Sequence, residues 1–187
     1  MKRIIIIAAM ALMSVSAFAQ QFAYVDFNEL VMLVPEMDEA RAVLEENSKT
    51  NEEILMAMYE EYQTKVQQYE QKAATWTQSV REIKEKEIMD IQARLEQTQQ
   101  SLQQEIQQLQ QQLQAPIIEK VNNVVNELAK SHGVIAVFEK ASFLYIDDAQ
   151  MLNLTPEARV ALNIPEGRTL ETLQAELIAK AQAAQGM

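Results

Sequence analysis

A chain of 187 residues with no cysteine, one histidine, three glycines and four prolines excludes disulfide-stapled modules, thiolate chemistry and cysteine-based metal sites, and favours long uninterrupted helices. Its formal charge of −11 disfavours nucleic acid and anionic headgroups and favours cationic partners.

Lys2 and Arg3, the apolar run Ile4 to Leu12 and Ala17-Phe18-Ala19 before Gln20 have the three-part grammar of a secretory signal peptide. Residues 1–19 are therefore expected to be cleaved, leaving an exported, periplasmic chain. Without Lys2 and Arg3 the balance is 14 basic against 27 acidic residues, or −13. No later run of about 18 apolar residues offers a spanning helix, so no stable membrane insertion is expected.

Phe22 to Phe27 reads as one strand, rich in aromatic and β-branched types. Asn28 is placed to cap a short helix that ends at Pro35. From Glu36 to Thr75 there is neither glycine nor proline. Leu55, Tyr62, Tyr69 and Trp76 recur at seven-residue steps, with Met58 between them, as a coiled-coil seam requires. Ser79-Val80-Arg81-Glu82 has the form of a capping box that starts a second long helix. That helix carries its own seam at Ile88, Leu95, Leu102 and Leu109. Two long helices joined by a short turn run antiparallel. Pairing Tyr69 with Ile88, Tyr62 with Leu95 and Leu55 with Leu102 gives a constant sum of residue numbers and centres the turn near 78–79. The glutamine-rich stretch 97–114 keeps the heptads and reads as helix. Asn47–Asn51 and Gln97–Ser101 interrupt both seams, so a hinge is expected near the arm base.

Pro116 marks a boundary, after which Ile117, Val121, Val124, Val125 and Leu128 form an amphipathic helix. Lys130 to Gly133 reads as its basic last turn and left-handed glycine cap. Val134–Phe138 and Phe143–Ile146 are two apolar runs of strand type with a hairpin-length connection. Thr155-Pro156-Glu157 starts a further helix, with Thr155 as the cap, and Arg168 to Ala184 reads as a last one.

The expected fold is therefore α+β and predominantly helical: a small β-containing oligomerisation body from which a long antiparallel coiled-coil hairpin projects. The expected segments are a signal peptide (1–19), a first body segment (20–47), the arm (48–113, turning near 75–79), a second body segment (114–165) and a C-terminal helical extension (166–187). Phe22, Tyr24, Val25, Val137, Phe138, Phe143 and Tyr145 are candidates for the oligomerisation body, since so small a sheet with open edges gains from association. Met56, Tyr59 and Met89 lie off the heptads. They either pack on the flank of the seam or stand ready to meet other chains, where methionine adapts to varied partners. Phosphate loops, metal-ligand spacings and nucleophile–base patterns are absent from the sequence, so no enzyme and no cofactor is expected.

The Ala23-Tyr24-Val25-Asp26 strand, the long charged helices out and back, Ala115-Pro116-Ile117-Ile118 leading through Gly133 into Val134–Phe138 and Phe143–Ile146, and Leu154-Thr155-Pro156 together resemble the Skp, or OmpH-like, periplasmic chaperones. The resemblance implies a homotrimer with a joint β-structured body. Its three helical tentacles would enclose unfolded outer-membrane protein precursors without ATP and keep them from aggregating. Well-known members are basic, whereas this chain is acidic, which argues against lipopolysaccharide binding. The alternative is a passive coiled-coil spacer or adaptor of the envelope with a folded partner.

Overall fold

A computed structural model describes residues 22–185; the signal peptide expected over 1–19 lies outside the described residues. The chain divides into two compact units, one of residues 22–35 and 117–185 and the other of residues 36–116.

The first unit is built on a sheet of three parallel strands. β1 (Phe22–Val25) lies in the centre, with β2 (Ala136–Glu139) on one side and β3 (Leu152–Asn153) on the other. Phe22, Ala23, Tyr24 and Val25 face Ala136, Val137, Phe138 and Glu139 in register, while Ala23 and Tyr24 face Leu152 and Asn153. This corrects the expected hairpin: Phe143–Ile146 is not a strand. After β2 the chain enters a 3-10 turn (Lys140–Ser142). Asp147 then folds it back, its carboxylate accepting from Ala149 N–H at 3.0 Å and its carbonyl from Gln150 N–H at 2.9 Å. Residues 152–153 thereby join the far edge of β1, where both flanks of the central strand find partners.

Helix α1 (Phe27–Leu33) follows β1 directly. Its cap is Asp26, not Asn28: the Asp26 carboxylate accepts from Glu29 N–H at 3.0 Å, which satisfies a first-turn donor and places negative charge at the helix N-terminus. Glu139, at the end of β2, accepts from Phe27 N–H at 2.9 Å. The sheet thus caps the helix that grows out of it. α1 stops at Val34, whose extended backbone (φ −61°, ψ 139°) is what a residue before proline adopts. Pro35 then opens helix α2 (Pro35–Lys72) at the first helical position, where its missing N–H costs nothing.

Helix α3 (Gln78–Ser131) continues through Pro116, and the expected boundary there is where the chain passes from one unit to the other. The proline removes one bond to the Gln112 carbonyl, a loss that is cheaper at these two exposed residues than in a buried stretch. Pro116 marks a change of packing surroundings, not a helix end. Gly133 (φ +65°) terminates α3 as expected, with Val134 N–H bonding the Ala129 carbonyl and Gly133 N–H that of Lys130, both at 3.1 Å. A side chain here would have to adopt the left-handed conformation that glycine takes freely.

Helix α4 (Thr155–Ala161) begins one residue before the expected position, so Thr155 lies inside it and does not cap it. Asn153 accepts from Thr155 N–H at 3.0 Å, and the buried Thr155 hydroxyl instead accepts from Asp26 N–H at 2.9 Å. Asn163 (φ 57°) ends α4 in the manner of Gly133. Helix α5 (Leu170–Gln185) and α4 both pack against α1. The core of this unit gathers Ala23, Val25, Leu30, Leu33, Val34, Val121, Val125, Leu154, Ala158, Leu162 and Leu173. Residues 166–185, read in sequence as an extension, thus belong to the body through Leu173. Residues 36–47 fall in the helical unit.

Candidate functional site

In the second unit, α2 and α3 are joined by a 3-10 turn (Ala73–Thr75) followed by Trp76 and Thr77. α3 starts at Gln78, so Ser79 sits in its first turn and is not its cap. Glu82, the expected partner of Ser79 in a capping box, instead accepts from the Gln78 side chain at 2.8 Å. The Trp76 ring stands edge-on to Tyr69 with centroids 5.9 Å apart, closing the end of the hairpin over its own seam. The turn therefore centres near Thr75 to Trp76.

The register follows from the turn. Lys65 reaches Glu87 at 3.0 Å and the Tyr69 hydroxyl donates to Glu85. Leu55, Tyr59, Leu95 and Gln99 share one groove. All of these lie about one helical turn from the expected pairing of Tyr69 with Ile88 and Leu55 with Leu102. A heptad seam has apolar residues at three- and four-residue steps, so it tolerates such a slip with most knobs still facing inward.

Leu55, Met58, Tyr62, Tyr69, Trp76, Ile88, Leu95, Leu102 and Leu109 are each half-buried. Ile91 and Asn51, which the two seven-residue series do not contain, are the more deeply buried, at 1 % and 7 % exposure. Toward the turn the polar surface is paired. Glu87 receives both Lys84 and Lys65, and these two bonds hold its carboxyl below the usual glutamate range. The Glu85 carboxylate, bonded to Tyr69, pushes that phenol upward.

The off-seam residues lie outside this arrangement. Met56, Tyr59 and Met89 are 65 %, 52 % and 61 % exposed. Met56 and Tyr59 form the wall of a groove of about 450 Å³ whose other sides are Glu52, Leu55, Leu95 and Gln99. The Tyr59 ring lies 6.2 Å from that of Tyr62, at 37°, so a seam residue supports it from behind. Met89 is not among the groove's lining residues. Three- and four-residue steps through Gln92 and Glu96 place it on the strip of α3 that reaches Gln99. Ile54, Ile83, Val43 and Val80 are further exposed apolar positions on these helices; their off-heptad spacing is the signal that would have found them.

In the first unit, Phe22 and Phe138 stand 5.9 Å apart, and Phe143 meets Phe138 edge-on at 5.5 Å. Phe22 and Phe138 remain exposed, Phe143 is half-buried, and Leu144 and Tyr145 project fully into solvent. Of the other body candidates, Val137 is half-buried, while Val25 and Tyr24 are buried. The Tyr24 hydroxyl donates to Asp148 at 2.6 Å, and this bond raises its pKa. A second hollow, of about 440 Å³, lies beside Arg159. Its guanidinium is already held by Glu29 and by the carbonyls of Pro165 and Arg168, so it clamps α1, α4 and the following loop together.

Among the described residues no group of three or more His, Asp or Glu side chains is placed to hold a metal ion, and no helix is long and apolar enough to cross a membrane. A sequence profile of the family described as "Outer membrane protein (OmpH-like)" matches residues 21–162, well over half of the chain. No curated protein matches it.

Proposed function

This chain belongs to the outer membrane protein (OmpH-like) family, and from that membership we propose that it is an ATP-independent holdase of the periplasm. It binds unfolded outer-membrane protein precursors between helical arms and prevents their aggregation. The observation that carries this reading is the exposed apolar flank of the hairpin, with Met56, Tyr59 and Met89 each more than half exposed and outside the seam. A holding protein must make many weak contacts without fixing its client's conformation. Each such side chain gains at most about 1–2 kcal/mol when covered. Several must therefore act together to reach micromolar holding, about −8 kcal/mol.

The acting species is a homotrimer joined through the body. The uncovered Phe22, Phe138, Leu144 and Tyr145 supply an apolar surface that a lone chain of this size leaves in water. Three joined bodies bring three arms to one client and raise the effective concentration of their contacts.

The test dilutes a urea-unfolded β-barrel protein into buffer with the mature chain and follows light scattering. Aggregation should be suppressed at one trimer per client. It should return when Met56, Tyr59 and Met89 are all changed to serine. Unchanged aggregation with the native chain would end the holdase reading. Multi-angle light scattering should give three times the chain mass, and a monomer would refute the joint body.

A further inference from the structure

We infer that the groove beside Tyr59 selects cationic apolar segments, stretches of unfolded chain in which a lysine or arginine adjoins an aromatic or aliphatic residue. The inference rests on the holding function proposed above and names the chemistry of what is held.

The groove combines two kinds of surface. Leu55 and Leu95 form an apolar floor, and Met56 and Tyr59 an apolar wall. Glu52 stands at the rim on the same strip of α2, four residues before Met56 and seven before Tyr59. Around it the charge is one-sided: between residues 45 and 61 six glutamates accompany one lysine. Across the groove Glu96 lies on the strip of α3 that runs from Met89 to Gln99.

These carboxylates are uncompensated. Among the described residues Glu52, Glu53, Glu60 and Glu96 form no ion pair, and neither does Lys49. Toward the turn, by contrast, Glu87 holds two lysines. The negative field is therefore strongest where the apolar surface is open, and this sets the sign of the occupant. A client's aliphatic or aromatic side chain covers Leu55 and Met56. A neighbouring guanidinium or ammonium then lies over the exposed face of Tyr59, a cation–π contact, within reach of Glu52. An acidic segment meets the same apolar floor with like charges beside it. Lysine and arginine suit the site further because their methylene stems lie along apolar surface while their charge stays in water.

The test uses the full mature protein and three fluorescein-labelled peptides with identical aromatic and aliphatic positions and lysine, glutamine or glutamate between them, read by anisotropy. Two or three exposed carboxylates acting together give roughly tenfold between the lysine and glutamate peptides at low salt. The spread should shrink toward twofold at roughly 0.5 M salt, where screening is short-ranged. Combining Glu52→Gln, Glu53→Gln, Glu60→Gln and Glu96→Gln should bring the lysine peptide to the affinity of the glutamine peptide and leave the latter unchanged. Tyr59→Ser should weaken all three. Equal affinities, a preference for the glutamate peptide, or no binding of any peptide would overturn the inference. The light-scattering assay run beside it separates the two ideas. Suppressed aggregation without a charge ranking keeps the holding function and removes the selectivity. A charge ranking without suppressed aggregation does the reverse.

Discussion

Replacing Asn51 with leucine should stabilise the hairpin. Asn51 is 7 % exposed, and its amide makes one hydrogen bond among the described residues, donating to Asn47 Oδ1 at 3.0 Å one turn back. It stands at a seam position, four residues before Leu55 and seven before Met58. A single amide hydrogen bond to a neighbour one turn back is worth about 0.5–1.5 kcal/mol, whereas a leucine at a seam position gains about 1.5–3 kcal/mol when fully covered. The seam is narrow and Asn47 loses its partner, so we take the lower part of that range, a net gain of about 1–2 kcal/mol. Trp76, the single tryptophan, caps the far end of the hairpin and reports its melting by fluorescence. With a urea slope of about 1–2 kcal/mol per molar the midpoint should rise by roughly 1 M. Hydrogen exchange around residues 47–51, where the hinge is expected, should slow at the same time. An unchanged or lower midpoint would show that the asparagine is held by more than one hydrogen bond and that the seam is not weakened there.

Three further outcomes follow from the packing. Ile91→Ala should destabilise the hairpin by about 2–4 kcal/mol in the same urea assay, since Ile91 is 1 % exposed, whereas Met89→Ala should stay within about 0.5 kcal/mol. Thr155→Val keeps the side-chain shape but leaves the Asp26 N–H without its acceptor, so thermal unfolding of the body should show a loss of about 1–3 kcal/mol. The bond to Asp148 lifts the Tyr24 hydroxyl above its ordinary value of 10.0, so the folded chain binds this proton more tightly than the unfolded chain does. That contribution is complete below about pH 10 and is lost as pH rises through the raised value; Tyr24→Phe should flatten the alkaline fall in body stability.

The sequence carried the long helices openly, because heptads at Leu55, Tyr62 and Tyr69 and at Ile88, Leu95 and Leu102 persist through both arms. Gly133 was legible for a similarly local reason: a glycine after a basic turn has one common use. Other features were not legible. The register slipped by a turn because a seam repeats at three- and four-residue steps, and only Trp76 folding onto Tyr69 decides where the chain reverses. Phe143–Ile146 has strand-forming residues, but pairing is settled by the turn at Asp147, which carries the chain to the other edge of β1. β3 is two residues long, too short for any periodicity. The groove at Tyr59 depended on the register, so its exposed residues were readable as off-heptad positions while its shape was not.

The hairpin's architecture lets the proposed binding surface share one element with the framework that holds it. Two helices bury only the narrow stripe where they touch, so every apolar residue beyond that stripe stays in water unless another chain covers it. Ile91 and the half-buried knobs hold the pair together. Met56, Tyr59 and Met89 lie outside that stripe and leave an exposed apolar flank. An adhesive flank repeated on every copy would bind its own kind, and here the charge acts. The chain carries 27 acidic against 16 basic residues, so two arms approaching flank to flank repel, while a cationic apolar segment of another chain is drawn in. Both effects are screened together. Raising salt should therefore weaken capture of cationic segments and at the same ionic strength promote arm-to-arm association, visible as concentration-dependent growth in light scattering. A chain whose self-association falls as salt rises would contradict this division of labour between seam, flank and charge.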